Sequence, residues 1–157
     1  RPKAHLIRKQ YLAMKPTVTR PPHPSKKRDT LKVLVVDDDP FQLEVLSDLL
    51  RAIGVGDITT AATGDLALQA VTRARGTAAF DLMLSDLHMP GMDGFQFMDA
   101  VARSGFSAAL IIVSGQSSEV LHSASLVAQL RRFKWLGALS KPVDKRQLDD
   151  LVSKLAP

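Results

Sequence analysis

A doubly wound α/β fold around a parallel sheet is the class this sequence predicts, and three observations predict it. From residue 31 onward, short apolar runs alternate with amphipathic stretches, which is the pattern of repeated βα units. The runs Leu34-Val35-Val36 and Leu82-Met83-Leu84 lack polar alternation, as strands covered on both faces do. Both runs lead into acids, Asp37-Asp38-Asp39 after the first and Asp86 after the second. The carboxyl-terminal edge of a parallel sheet is where open α/β folds place their ligands, so carboxylates there have a chemical reason to exist.

Five βα units can be counted. Strands are expected over 31–37, 56–61, 80–86, 108–114 and 136–141, with helices between and after them. Leu46, Leu49, Leu50 and Ile53 share one face of the first helix, and Leu148, Leu151, Val152 and Leu155 one face of the last. Pro40 stands where a helix can begin, because a first-turn residue has no intrahelical partner for its N–H. Right-handed crossovers then put helices on both sides of the sheet. Residues 31–157 are long enough for one domain with a sizeable core. Residues 1–30 carry Pro2, Pro16, Pro21, Pro22 and Pro24 among scattered Lys and Arg, with no sustained period, and are expected to be a flexible basic arm or a tag.

The net charge of +5 belongs to that arm. Residues 1–30 hold nine Lys or Arg against Asp29, whereas residues 31–157 hold 12 basic and 15 acidic residues, a net of −3. A mildly acidic folded part argues against direct nucleic-acid binding by that part. The chain has no cysteine, which excludes disulfides and thiolate metal sites and suits a reducing cytoplasm. No apolar stretch reaches the roughly 20 residues needed to span a bilayer, so neither a membrane span nor a membrane partner is expected.

In a doubly wound sheet the ends of strands one, three, four and five converge, and there stand Asp37 and Asp38, Asp86, Ser114 and Lys141. These residue types form a phosphoryl-transfer set. Asp86 can attack phosphorus as a nucleophile, and Mg²⁺ held by Asp38 and Asp86 would neutralise the oxygens in an in-line displacement. Lys141 supplies a fixed ammonium and Ser114 a hydroxyl for phosphoryl oxygens. Gly91 and Gly94, in the loop after Asp86, allow a tight turn that offers a backbone carbonyl, that of His88, to the metal. Lys141-Pro142 is a candidate cis peptide. Asp39 is expected to add negative potential or to cap the helix opening at Pro40, not to ligate.

Four blocks, LVVDDDP at 34–40, LMLSDLHMPGMDG at 82–94, IIVSG at 111–115 and SKP at 140–142, closely resemble the receiver domain of two-component response regulators. The resemblance implies a flavodoxin-like (βα)5 fold with strand order 2-1-3-4-5. It implies a signalling role without turnover of a separate substrate: Mg²⁺-dependent phosphorylation of Asp86 by a histidine kinase or phosphotransfer protein, then a switch read by an output domain or effector. Asp37 and Asp38 match the acidic pair, Asp86 the acceptor, Ser114 the switch hydroxyl and Lys141 the invariant lysine. The stretch from Ser114 to Asp144 resembles receivers attached to EAL-type cyclic-di-GMP phosphodiesterase outputs, which makes such a phosphodiesterase a candidate partner. Homodimerisation stays open.

The family's aromatic residue three places before the lysine is replaced by Ala138, so the signal is expected to leave through the fourth helix and the loop after it. The 26 residues between Ser114 and Lys141 exceed the usual number and lengthen that helix by about a turn. Phe133 and Trp135 are expected to be packed. His88 and Gln116 lie two places beyond site residues, where they either tune the phosphoryl lifetime or do nothing. His5, His23 and His122 have no metal-ligand spacing. Two other functions remain: a Mg²⁺-dependent phosphohydrolase with an aspartyl nucleophile, disfavoured because His88 stands where such enzymes place a second acid, and a phosphorylation-silent interaction module.

Overall fold

The computed structural model describes residues 27–157, apart from 77, 78, 90, 107 and 116 and the side chain of Met92. Five parallel strands form one sheet: β1 Lys32–Val36, β2 Asp57–Ala61, β3 Leu82–Ser85, β4 Ala109–Ser114 and β5 Lys134–Ser140. Their spatial order is β2-β1-β3-β4-β5, as expected of the (βα)5 arrangement. Five helices accompany them: α1 Pro40–Ala52, α2 Gly64–Arg73, α3 Gly94–Arg103, α4 Ser118–Leu130 and α5 Lys145–Val152.

The period of two along a strand explains how one apolar run feeds two layers. Val33 and Val35 of β1 pack with Leu46 and Leu50 of α1 and with Leu148 and Val152 of α5. Leu34 and Val36 face the opposite layer, with Ala67 and Val71 of α2, Phe97 and Val101 of α3, and Ala124 and Ala128 of α4. β1, β3 and β4 are therefore buried along almost their whole length, while β2 and β5 at the edges are partly exposed. Burial fixes the register, so the ends of β1, β3 and β4 are held level.

Strand boundaries match the expected ones within two residues: β3 starts two residues later than expected, and β5 two residues earlier. β5 starts at Lys134 rather than 136, because Lys134 and Trp135 pair with Ala109 and Leu110 before an irregularity that precedes Gly137. Phe133 is buried and Trp135 half-buried, and the Phe133 ring lies 5.9 Å from that of Phe106. Arg131, the C-cap of α4, is exposed and pairs with Asp99 of α3.

Most of the expected basic arm lies outside the described residues. Its last part, Arg28–Thr30, forms a 3-10 turn on the domain. The Arg28 guanidinium donates to the carbonyls of Ala156 (2.8 Å) and Ile53 (2.9 Å) and to Ser153 Oγ (2.7 Å), and it pairs with the Asp149 carboxylate. One planar donor group thus closes the ends of both α1 and α5. Replacing Arg28 by Ala strands these acceptors, so urea unfolding is expected to show a loss of about 2 kcal/mol. Arg28→Lys should recover only a minor part, since an ammonium cannot span the same fork of acceptors.

Candidate functional site

The site forms where β1, β3 and β5 end. Asp37 directly follows β1 and is almost wholly buried. Its backbone N–H donates to the Ala61 carbonyl (3.2 Å), and its Oδ1 accepts from Asp39 N (2.9 Å). Asp86 follows β3 and is buried, anchored by its N–H to the Val36 carbonyl (3.0 Å). Asp38 is exposed. Carboxylate oxygens of Asp37, Asp38 and Asp86 lie within 4.8 Å of one another.

Lys141 reaches this cluster from beyond β5. Its Nζ donates to Asp37 Oδ2 and to Asp86 Oδ2, both at 2.8 Å, and its backbone N–H points to the Ser114 carbonyl at 3.4 Å. The Lys141-Pro142 peptide is cis, as expected. Ser114, the last residue of β4, is buried opposite Ser140 of β5 on the same edge. The Asp86 side chain therefore points toward Asp38 and Lys141. A sequence reading that assigned Lys141 only to phosphoryl oxygens missed its second task, bridging two carboxylates in the resting protein. No local signal marks that task, because the partners lie 104 and 55 residues away.

The loop after Asp86 is shaped by backbone contacts. Asp86 Oδ1 accepts from His88 N (3.0 Å), leaving the His88 side chain exposed. His88–Met89 and Met92–Asp93 pair as a short antiparallel hairpin, and Asp93 then caps α3 by accepting from Phe95 N (2.9 Å). Gly94 is required here: a Cβ would stand 2.4 Å from the Leu87 carbonyl oxygen. Asp39 is the N-cap of α1, accepting from Phe41 N (2.9 Å). It stands outside the three-carboxylate cluster, as expected. Gln116 lies outside the described residues, as do His5 and His23, and His122 is exposed.

Charge at the site is set by burial and by the bridge. Burial pushes the Asp37 carboxyl above its ordinary value, outweighing the Lys141 and Asp39 hydrogen bonds, and the like charge of Asp86 adds to the rise. Burial alone would lower the Lys141 ammonium, but hydrogen bonds to Asp37 and Asp86, with their charges, hold it above its ordinary value. Three carboxylates against one ammonium leave a net negative cup with one exposed acid. Its donors are all oxygen, which suits a hard divalent cation.

The family model described as "Response regulator receiver domain" matches residues 33–153. The chain belongs to the response regulator receiver family. Two curated relatives and a solved structure place this receiver domain further. The two-component response regulator ORR41 of Oryza sativa subsp. japonica is 32% identical over 131 residues, covering 81% of this chain and 95% of that protein. The cyclic di-GMP phosphodiesterase RocR of Pseudomonas aeruginosa is 30% identical over 125 residues, which is 79% of this chain. The receiver domain spans 31% of the length of RocR, and 13% to 15% of several larger rice response regulators. The chemotaxis protein CheY4 of Vibrio cholerae superposes with a TM-score of 0.63 at 28% identity, covering 80% of this chain and 98% of that one.

Removing the bridge isolates the two buried acids. In metal-free buffer at pH 7, Lys141→Met is expected to lose roughly 1–3 kcal/mol in chemical unfolding, less than for a fully buried pair because the lysine is partly exposed. Because the Lys141 pKa is raised, its contribution is complete below 10.5 and fades as pH climbs through the higher folded value. The native protein should therefore lose stability above pH 10.5 in a way that Lys141→Met does not. At the acid end the raised Asp37 works in the other sense: its own contribution to stability falls as pH rises from 3.8 through the folded value, and over a wider range without the lysine. Parallel pH dependence of the two proteins would count against the bridge.

Proposed function

We propose that this receiver domain is the phosphoacceptor of a two-component phosphorelay, taking a phosphoryl group on Asp86 from a histidine kinase or phosphotransfer protein and switching an output domain or effector. The observation that carries the reading is the unbalanced charge at the site: Asp37, Asp38 and Asp86 converge within 4.8 Å, with Lys141 hydrogen-bonded to two of them. A nucleophile for phosphorus, a cation for its oxygens and a surplus of acid for a metal stand together. Asp37, Asp38 and Asp86, with the His88 carbonyl, would hold Mg²⁺. When bound, that ion supplies neutralisation of the phosphoryl oxygens.

The chain's own residues do the rest. A carboxylate oxygen of Asp86 forms the new O–P bond as the P–N bond to the donor imidazole breaks, and the bonding pair stays on the imidazole nitrogen. Lys141 has three N–H donors. Two are used by Asp37 and Asp86 at rest, so the ammonium can transfer to a phosphoryl oxygen without leaving the site. Ser114 supplies a hydroxyl on the same edge, drawing β4 and the segment leading into α4 toward the modified Asp86. With Ala138 in place of the aromatic, helix α4 carries the signal. The step modifies the chain itself and is not turnover of a substrate. The likeness to RocR supports an output or partner of the phosphodiesterase kind, and a cytoplasmic setting suits a cysteine-free chain.

Acetyl phosphate with Mg²⁺ is expected to add one phosphoryl group by mass, and Asp86→Asn should abolish the gain. Continuous phosphate release from many esters would instead indicate a hydrolase, and no reaction a silent module. Mg²⁺ alone should stabilise the unmodified domain by roughly 1.4 kcal/mol at ten times its dissociation constant. Differential scanning calorimetry should show this shift in the native protein and its loss in Asp38→Ala, which removes the exposed member of the acid cluster without touching the bridge.

A further inference from the structure

The pole opposite the carboxylates carries charge of the other sign. Helices run antiparallel to the strands, so the turns from α2 to β3, α3 to β4 and α4 to β5 lie together at the amino-terminal edge of the sheet. The first presents Arg73 and Arg75, the second Arg103, and the third Arg131, Arg132 and Lys134, all exposed. The turns are contiguous. Arg75 lines one cavity with Ser104 and Gly105, Arg103 and Arg131 share the carboxylate of Asp99, and the Phe106 and Phe133 rings are in contact. Among the described residues of this rim the acids are Asp99, already occupied by two guanidinium groups, and Asp81, which accepts from Lys32 N. A domain with net negative charge over residues 31–157 thus places six of its twelve Lys and Arg on this rim.

An apolar anchor lies within the rim. Leu130, the last residue of α4, is 81% exposed, and Leu126 one turn before it is 49% exposed. Arg131 and Arg132 follow directly, and Arg132 sits in the left-handed region with φ 63°, turning the chain sharply there so that Lys134 follows close behind. We propose that this rim is a docking surface for an acidic protein segment carrying an apolar side chain.

Charge complementarity decides the occupant. A second copy meeting the first through the same patch would oppose like charges. A nucleic acid would use the cations and leave the leucines without a partner. A bilayer needs a larger apolar face than two leucines. An apolar centre rimmed by arginines is the usual composition of a protein interface.

Selection of a random 16-residue peptide library on the immobilised full chain tests this. Enriched peptides should be acidic with Leu, Ile or Phe, and their affinity should fall at least tenfold against the double variant Leu130→Ser with Lys134→Glu, which leaves the Asp99 pairs in place. Affinity for unphosphorylated Asp86→Asn should match that for the unphosphorylated native chain, because residue 86 is not part of the rim. Circular dichroism and thermal unfolding of the double variant confirm that its fold is intact, and Arg132→Glu alone gives a second, single-site loss. Peptides without acidic bias, or acidic peptides insensitive to both variants, would overturn the proposal. So would concentration-dependent self-association, or binding of single-stranded RNA or phosphatidylserine vesicles at physiological salt, if lost in the same variants.

Discussion

Three carboxylates are forced together at the end of a buried parallel sheet, and the molecule has to neutralise what its own core creates. β1 and β3 are adjacent and level because both are apolar on both faces, so Asp37 and Asp86 cannot move apart without unpacking two layers. In a low-dielectric setting their repulsion is costly. Lys141 answers it by donating to both. Since β5 is separated from β1 by β3 and β4, the lysine gets there only if all five strands take their places. The strand order is in this sense an electrostatic requirement as well as a packing outcome.

The same constraint gives the site its dual character. A raised Asp37 carboxyl and a raised Lys141 ammonium describe a bridge that is satisfied internally yet still carries surplus negative charge. Asp38, exposed beside it, leaves the cluster open to solvent. Around it the backbone is tied by contacts: His88 N–H holds Asp86, the hairpin closes the loop, and Leu87 lies against Gly94. A carboxylate held this way has little orientational freedom left to lose.

Much of this was legible in the sequence. The strands showed themselves as unbroken apolar runs, and Asp37, Asp38, Asp86, Ser114 and Lys141 stood at their ends, where topology alone makes them neighbours. Asp39 as a helix cap followed from Pro40. What stayed hidden depends on partners far along the chain. Arg28 cannot be distinguished from Lys26 and Lys27 until Asp149, Ser153 and Ala156 fold back to meet it. Arg103 is an i,i+4 partner of Asp99 and can be read from spacing, but Arg131 joins the same carboxylate only through helix packing. β5 begins before its expected start because Lys134 is a charged residue that an edge strand tolerates and a pattern search rejects.

The alternation along β1 has a consequence for how such a chain can vary. Val33 and Val35 serve one layer, and Leu34 and Val36 the other. Inserting or deleting a single residue in that strand would hand each side chain to the wrong layer. The same slip would exchange the buried and exposed aspartates, turning Asp38 inward and Asp37 out. A change of length is therefore better tolerated in the turns, while this five-residue strand behaves as an indivisible unit whose parity is tied to the acids that follow it.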